Sequence, residues 1–196
     1  RRPAPQRFRP FLKFKEDPMK NVLILSASLR PRSNSEGLAA AFAAGAREAG
    51  HTAEEISLKG KHIAFCTGCL TCQKTGRCVI ADDARAITEK AKAADIIVFA
   101  SPVYYYSIAG QLKTLLDRMN SLFASEYQFR EIYFLASAAE DAPETAEGPQ
   151  KAIQGWTDCF EKARLAGTVF AGGCTEPGAA ENHPALAQAY DMGRAL

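Results

Sequence analysis

The sequence predicts a doubly wound α/β fold, a five-stranded parallel sheet in the order 2-1-3-4-5 with helices on both faces. Three observations carry this. Short apolar runs alternate with helix-period segments five times along the chain, the pattern of parallel strands joined by right-handed crossovers. Four of the runs are continuously apolar, as strands buried on both faces are. The second is polar and belongs at an edge, which selects this strand order over one that buries it.

The elements follow in order. NVLILSAS (21–28) is the first strand, and Ser35 to Ala49 the first helix, opened by Ser and Asn capping residues and closed by Gly50. HTAEEISL (51–58) is the edge strand. Asp82 to Ala94 starts at a capping Asp and leads into the third strand, DIIVFAS (95–101). Gly110 to Phe123 sets Leu112, Leu115, Leu116 and Met119 on one helical face. EIYFLAS (131–137) is the fourth strand; AAEDAPETAEG (138–148) reads as an exposed loop, and Pro149 to Ala163 as a helix with proline in its first turn. GTVFAGG (167–173) and Pro184 to Arg194 complete the fifth β-α unit.

The 196 residues suit one domain. The net charge of +2 conceals an asymmetry: residues 1–18 carry six basic and two acidic side chains, and the remainder 18 basic against 20 acidic. A mildly acidic body argues against nucleic-acid binding, which needs clustered cations. The basic arm, residues 1–18, is either a native extension or a remnant ahead of a natural start at Met19; residues 19–196 form the expected domain. No apolar run approaches a membrane span, and the arm lacks a signal peptide's apolar centre, so the expected location is the cytoplasm.

In such sheets ligands bind beyond the carboxyl ends of the strands where the order reverses, here between strands one and three. The first of those loops, SASLRPRSNS (26–35), is rich in hydroxyls and feeds a helix N-terminus. Ser28, Ser33, Asn34 and Ser35, with Arg30 or Arg32, offer an anion pocket at the positive end of the helix dipole. It is neither a GxGxxG turn nor a Walker loop, so a terminal phosphate monoester is its natural guest. The plainer alternative is a cluster that only caps the helix. The second loop, SPVYYYSIAGQ (101–111), is stiffened by Pro102 and places three tyrosines where they border a planar heterocycle, or else cover the sheet end or a subunit contact. A phosphate at one end and a flat ring at the other describe FMN.

SLRPRSNS after the first strand and SPVYYYSIAGQLKTLLDR after the third together resemble the NADPH-dependent FMN reductase family of the flavodoxin-like fold, over Met19 to roughly Gly173. The resemblance implies that the FMN phosphate sits among Ser28, Arg30, Ser33, Asn34 and Ser35. It further implies that the ring lies along Pro102, Val103, Tyr104 and Tyr105, with Ser137 approaching from the other side. Relatives assemble as dimers or tetramers with the flavin near a subunit boundary, so a homodimer or homotetramer is expected.

Four of the six cysteines, Cys66, Cys69, Cys72 and Cys78, fall in the loop CTGCLTCQKTGRC (66–78) with spacing C-x2-C-x2-C-x5-C. It follows the edge strand, on the crevice side of the sheet. Thiolates in so tight a repeat are the usual ligands of iron-sulfur clusters, and a turn at Gly76 returns the fourth to the other three. A four-cysteine zinc site and free thiols remain alternatives; a disulfide framework does not suit a cytosolic chain with a large core. With VIADD following, the spacing resembles the iron-sulfur flavoprotein branch of the same family, whose motif holds a 4Fe-4S cluster. Lys59, Lys61, Lys74 and Arg77 either offset the cluster's charge or form a solvated rim. Cys159 reads as core and Cys174 as a buried or loop thiol, while His51, His62 and His183 are too scattered for a metal triad.

The resulting expectation is an FMN-dependent NAD(P)H oxidoreductase, an iron-sulfur flavoprotein moving electrons from NAD(P)H or ferredoxin to a quinone, flavin, oxygen species or metal ion. No acid-base residue is assigned as catalytic, because the cofactor carries the reaction. The alternatives are a non-enzymatic electron carrier, a cluster-free reductase with free thiols, or a zinc-stapled flavin-binding module.

Overall fold

A computed structural model describes residues 18–196; all of the basic arm but Pro18 lies outside the described residues. Strands β1 (Asn21–Ser26), β2 (Thr52–Ser57), β3 (Ile96–Tyr104), β4 (Ser107–Ile108), β5 (Glu131–Ser137) and β6 (Arg164–Ala171) alternate with helices α1 (Asn34–Glu48), α2 (Thr71–Thr75), α3 (Asp83–Ala93), α4 (Gly110–Arg118), α5 (Glu147–Thr157) and α6 (Pro184–Arg194). The sheet has six strands rather than the expected five. Its main path runs β2-β1-β3-β5-β6, all parallel, and β4 lies off that path, antiparallel to β3. The added strand arises because β3 does not stop at Ser101: it continues through Pro102 to Tyr104 and folds back on itself. With β4 interposed, the last two parallel strands are the fifth and sixth in the chain.

The period-2 geometry of each strand divides the core cleanly. Leu23, Leu25, Ile97, Phe99, Ile132 and Phe134 face one side, where they pack with Ile87, Leu112, Leu115 and Ile153 from α3, α4 and α5. Val22, Ile24, Ile96, Val98, Leu135 and Val169 face the other and meet Leu38, Phe42 and Ala185 from α1 and α6. On that second face α1 and α6 touch backbone to backbone. A Cβ on Gly45 would lie 2.0 Å from the Tyr190 carbonyl oxygen, and one on Gly193 2.1 Å from that of Phe42.

Several boundaries differ from expectation for local reasons. α4 gives way at Met119 to a 3-10 turn, Met119–Leu122, which keeps Met119 and Leu122 buried. α5 starts two residues before Pro149 and ends at Thr157, so Cys159 lies beyond it and is exposed rather than in the core. The 138–148 segment is not wholly exposed: Thr145 and Ala146 are buried in a 3-10 turn. Among the described residues no helix is long and apolar enough to cross a membrane.

Candidate functional site

The parallel register brings the carboxyl ends of three strands level, with Pro102 opposite Ser137 and Ser137 opposite Ala171. Above them lies a crevice of about 230 Å³ lined by Ser28, Arg30, Ser33, Asn34, Pro102, Val103, Tyr104, Ser137, Ala138, Ala139, Cys174, Thr175 and Pro177. That is smaller than the roughly 300–1,000 Å³ of enclosed ligand pockets, so a cofactor-sized guest leaves an edge in solvent. Eight of the ten expected flavin-site residues therefore share one cavity.

At one end stands the N-terminus of α1. Ser33 is its N-cap, the hydroxyl accepting from the Glu36 N–H at 3.5 Å, and the first-turn N–H groups supply donors and a partial positive charge. Arg30, not Arg32, faces this crevice. Its guanidinium donates to the Thr175 carbonyl at 2.8 Å and lies 3.9 Å from the Glu176 carboxylate, while Arg32 turns away to Glu181 at 3.0 Å. Asn34 lines the crevice, but its polar atoms are engaged: the amide donates to the carbonyls of Cys174 and Glu176 at 2.9 Å each, and Oδ1 accepts from the Ala180 N–H at 3.0 Å. It ties the loop after β6 to the helix start. Ser35 is fully buried with its hydroxyl 3.1 Å from that of Ser33, so it supports the cradle from behind and does not line it.

The other wall is the β3-β4 hairpin. Tyr104 pairs with Ser107, leaving Tyr105 and Tyr106 as a two-residue turn with φ of +49° and +56°. Such turns favour Asn-Gly, since a side chain at positive φ costs about 1–2 kcal/mol. Two contacts hold the strained turn. The Tyr106 hydroxyl donates to the Glu140 carboxylate at 2.8 Å, which pushes the phenol pKa up, and its carbonyl packs where Gly148 has no Cβ, at 2.0 Å from the position a Cβ would occupy. Tyr104 lines the crevice, whereas Tyr105 stands fully exposed at the tip and does not. Gln111, on the first turn of α4, donates to the Ala27 carbonyl at 2.5 Å and joins the two walls. Cys174, also in the lining, is buried, and that burial, with Asp141 nearby, pushes its thiol pKa up.

The cysteine loop rests at the opposite end of α4. Cys66, Cys69, Cys72 and Cys78 line a single narrow pocket with Asp117, Arg118 and Asn120. Leu70 at φ +56° and Gly76 at φ +73° bracket the short α2, so the chain doubles back to deliver Cys78, as the spacing suggests. Cys66 and Cys69 are exposed, Cys78 is half-buried and Cys72 is buried. Hydrogen-bond donors surround the sulfurs: the Gly68 N–H reaches Cys66 Sγ at 3.5 Å and the Asn120 amide reaches Cys72 Sγ at 3.4 Å. The Thr71 N–H, with the hydroxyls of Thr71 and Thr67, holds the Cys69 thiol below its ordinary pKa. Among the described residues, no three Cys, His, Asp or Glu side chains are gathered tightly enough to hold a single metal ion. Four thiols lining one pocket have the donor chemistry that an iron-sulfur cluster takes.

A larger cavity of about 650 Å³ lies at the amino ends of the strands, lined by Lys20, Asp95, Arg130, Glu131, Lys162 and Arg164 among others. Its charges are largely spent on one another, Glu131 pairing with both Lys20 and Arg164, and Arg130 on backbone carbonyls. It offers no focused anion site.

Comparison with known proteins agrees with this geometry. The family model described as NADPH-dependent FMN reductase matches residues 20–148. An iron-sulfur flavoprotein of Methanocaldococcus jannaschii is 40% identical over 101 residues, covering 52% of this chain and 52% of that protein. One of Archaeoglobus fulgidus is 37% identical over 101 residues, covering 52% and 46%. The matched segment thus spans about half the length of these relatives. Among solved structures, an NAD(P)H:quinone oxidoreductase from Methanothermobacter marburgensis superposes with a TM-score of 0.70 at 20% identity, covering 90% of this chain and 96% of that one. An azoreductase from Bacillus anthracis gives 0.69 at 20%, covering 91% and 100%. These structural likenesses establish the fold.

Proposed function

Because the chain belongs to the NADPH-dependent FMN reductase family, we propose that it is an FMN-dependent NAD(P)H oxidoreductase whose cysteine loop carries a 4Fe-4S cluster. The observation that carries this reading is the crevice itself, where a helix N-terminus with Ser28, Ser33 and Arg30 faces a wall of Pro102, Val103 and Tyr104 across one cavity. The first group holds the phosphate; the second lies along the ring, and Ser137 reaches it from β5. Tyr105, exposed at the hairpin tip, borders the outer edge of the ring, where a donor or acceptor enters. When bound, FMN takes up a hydride as an electron pair and the cluster passes electrons singly. The protein's task is to position both and to limit solvent access.

Cys66, Cys69, Cys72 and Cys78 are the residues that hold the cluster. Electrons enter from NAD(P)H or a ferredoxin-type donor and leave to a small acceptor such as a quinone, a flavin or an oxygen species. The flavin crevice and the cysteine pocket flank opposite ends of α4, whose nine residues span about 13 Å. A homodimer or homotetramer brings the flavin of one subunit near the cysteines of another. Exposed Phe65, Leu70 and Val79 about the cysteine loop, and Tyr104 and Tyr105 at the hairpin, support such a contact. The second reading, a cluster-free reductase, draws on the exposure of Cys66 and Cys69.

The test is the absorption spectrum of anaerobically purified protein with iron and sulfide assay, followed by addition of NADPH or NADH. Flavin bleaching with steady quinone turnover supports the enzyme. Rapid reduction by ferredoxin with no response to either nucleotide indicates a carrier, and flavin without iron indicates the cluster-free form.

A further inference from the structure

Among the described residues Arg118 is the largest fully buried side chain, at 2% exposure, and the crevice at the strand ends does not use it. It leaves the last turn of α4 and enters the cysteine loop. Its Nη1 donates to the Ala64 carbonyl at 2.7 Å and to Asp82 Oδ2 at 2.6 Å; its Nη2 donates to the Ile80 carbonyl at 3.2 Å and to Asp82 Oδ1 at 2.9 Å. Asp82 in turn accepts from the Ala64 N–H at 2.9 Å and caps α3 through the Ala84 N–H at 3.1 Å. Ala64 lies two residues before Cys66, and Ile80 two after Cys78. One guanidinium-carboxylate pair therefore ties both ends of the segment that carries all four thiols.

Four of the five guanidinium N–H groups point to the loop ends, but Nε has no partner. A buried cationic donor left unsatisfied costs free energy that a native structure normally recovers through water, an ion or another ligand. Arg118 lines the same pocket as the four cysteines, and Cys78, after Asp82, adds to the environment that raises the guanidinium pKa.

Resting on the cluster reading above, we propose that Arg118 is the positioning residue of the cysteine-held cluster: its fork fixes the loop, and its Nε–H donates a hydrogen bond to a cluster sulfur. Hydrogen bonds to cluster sulfurs, and positive charge beside them, favour the reduced form and raise the reduction potential. Arg118→Lys keeps the charge against Asp82 but removes the planar fork and the Nε–H.

The experiment reconstitutes wild type and Arg118→Lys with iron and sulfide under anaerobic conditions, and follows cluster reduction by paramagnetic resonance in a mediator titration. The same titration is run on protein carrying ¹⁵N-arginine, with pulsed resonance used to detect a nitrogen coupled to the reduced cluster. The variant is expected to be harder to reduce, its redox equilibrium shifting about tenfold towards the oxidised form, or about 59 mV for a one-electron couple. Wild type shows an arginine nitrogen coupling that Arg118→Lys lacks. If wild type holds the cluster but either sign is absent, the inference is overturned while the cluster reading stands. If wild type takes up no iron and sulfide, the cluster reading falls and takes the inference with it. Should Arg118→Lys fail to fold, the coupling in wild type decides alone.

Discussion

The two ends of α4 are built in opposite ways. At its N-terminus the crevice proposed for the flavin is assembled from regular elements: β3, β5 and β6 stand level at Pro102, Ser137 and Ala171, and a capped helix start closes one side. At its C-terminus the cysteine pocket is made mostly of irregular chain around the short α2, with Cys66 and Cys69 exposed and left-handed residues at Leu70 and Gly76. The first region owes its shape to the sheet. The second is tied at both ends by a buried ion pair, Arg118–Asp82, with 0% and 3% of the two side chains exposed. The two regions are therefore vulnerable at different points. A site made of strand ends fails gradually as individual contacts are lost, whereas a stapled loop fails when the staple does.

The largest effect is expected from Asp82→Ala. It leaves the Arg118 guanidinium buried without its counter-ion, a change expected to cost about 3–5 kcal/mol. Chemical denaturation measures the loss, and unchanged stability would remove the staple from the account. The pH dependence carries the same signature. Burial opposes the Asp82 carboxylate, but the Arg118 and Ala64 hydrogen bonds outweigh it and hold the pKa below the ordinary value. The group binds protons more weakly folded than unfolded, so its stabilisation is full above the unfolded value of about 3.9 and disappears as pH falls through the folded one. Wild type should therefore lose more stability than Asp82→Ala as the pH is lowered through that window.

Next in size is Gly148→Ala, which drives a methyl group into the Tyr106 carbonyl. Overpacking of this kind costs about 1–3 kcal/mol, and here it also displaces the hairpin that walls the crevice. Unfolding curves and FMN titration should both register it. Arg30→Ala removes a guanidinium from the cradle together with its exposed contacts to Thr175 and Glu176; loss of one charge-assisted bond weakens FMN binding about ten- to a hundredfold with little change in fold stability. Smallest and of opposite sign is Tyr105→Asn. At φ +49° and fully exposed, Tyr105 strains the turn without packing in return, while Asn tolerates that conformation. A gain of about 0.5–1 kcal/mol is expected, read as a rise in melting temperature of about 1–4 °C.

The same contrast explains what could be read from the sequence. Ser28, Arg30 and Ser33 were legible because a buried apolar run ends immediately before them and a helix begins immediately after. Tyr105 and Tyr106 were not legible as a turn, because a two-residue hairpin normally announces itself with Asn or Gly and here the strain is offset by Glu140 and Gly148, more than thirty residues away. The contribution of Cys174, Thr175 and Pro177 to the crevice depends on β6 lying in register beside β5, which no local pattern encodes. Cys159 read as core from its aromatic neighbours, but α5 stops at Thr157 and turns it outward. The four-cysteine spacing identified the loop, yet not Arg118, whose partner Asp82 is 36 residues distant; in the last turn of a helix such as α4 an arginine reads as an ordinary surface residue.

The most direct test of the central claim compares FMN with riboflavin by flavin-fluorescence titration of cofactor-free protein. The two share the ring and differ in the terminal phosphate, so a cradle at the α1 N-terminus with Arg30 beside it predicts that FMN binds at least about a hundredfold more tightly. Equal affinity for the two would mean that no phosphate sits there.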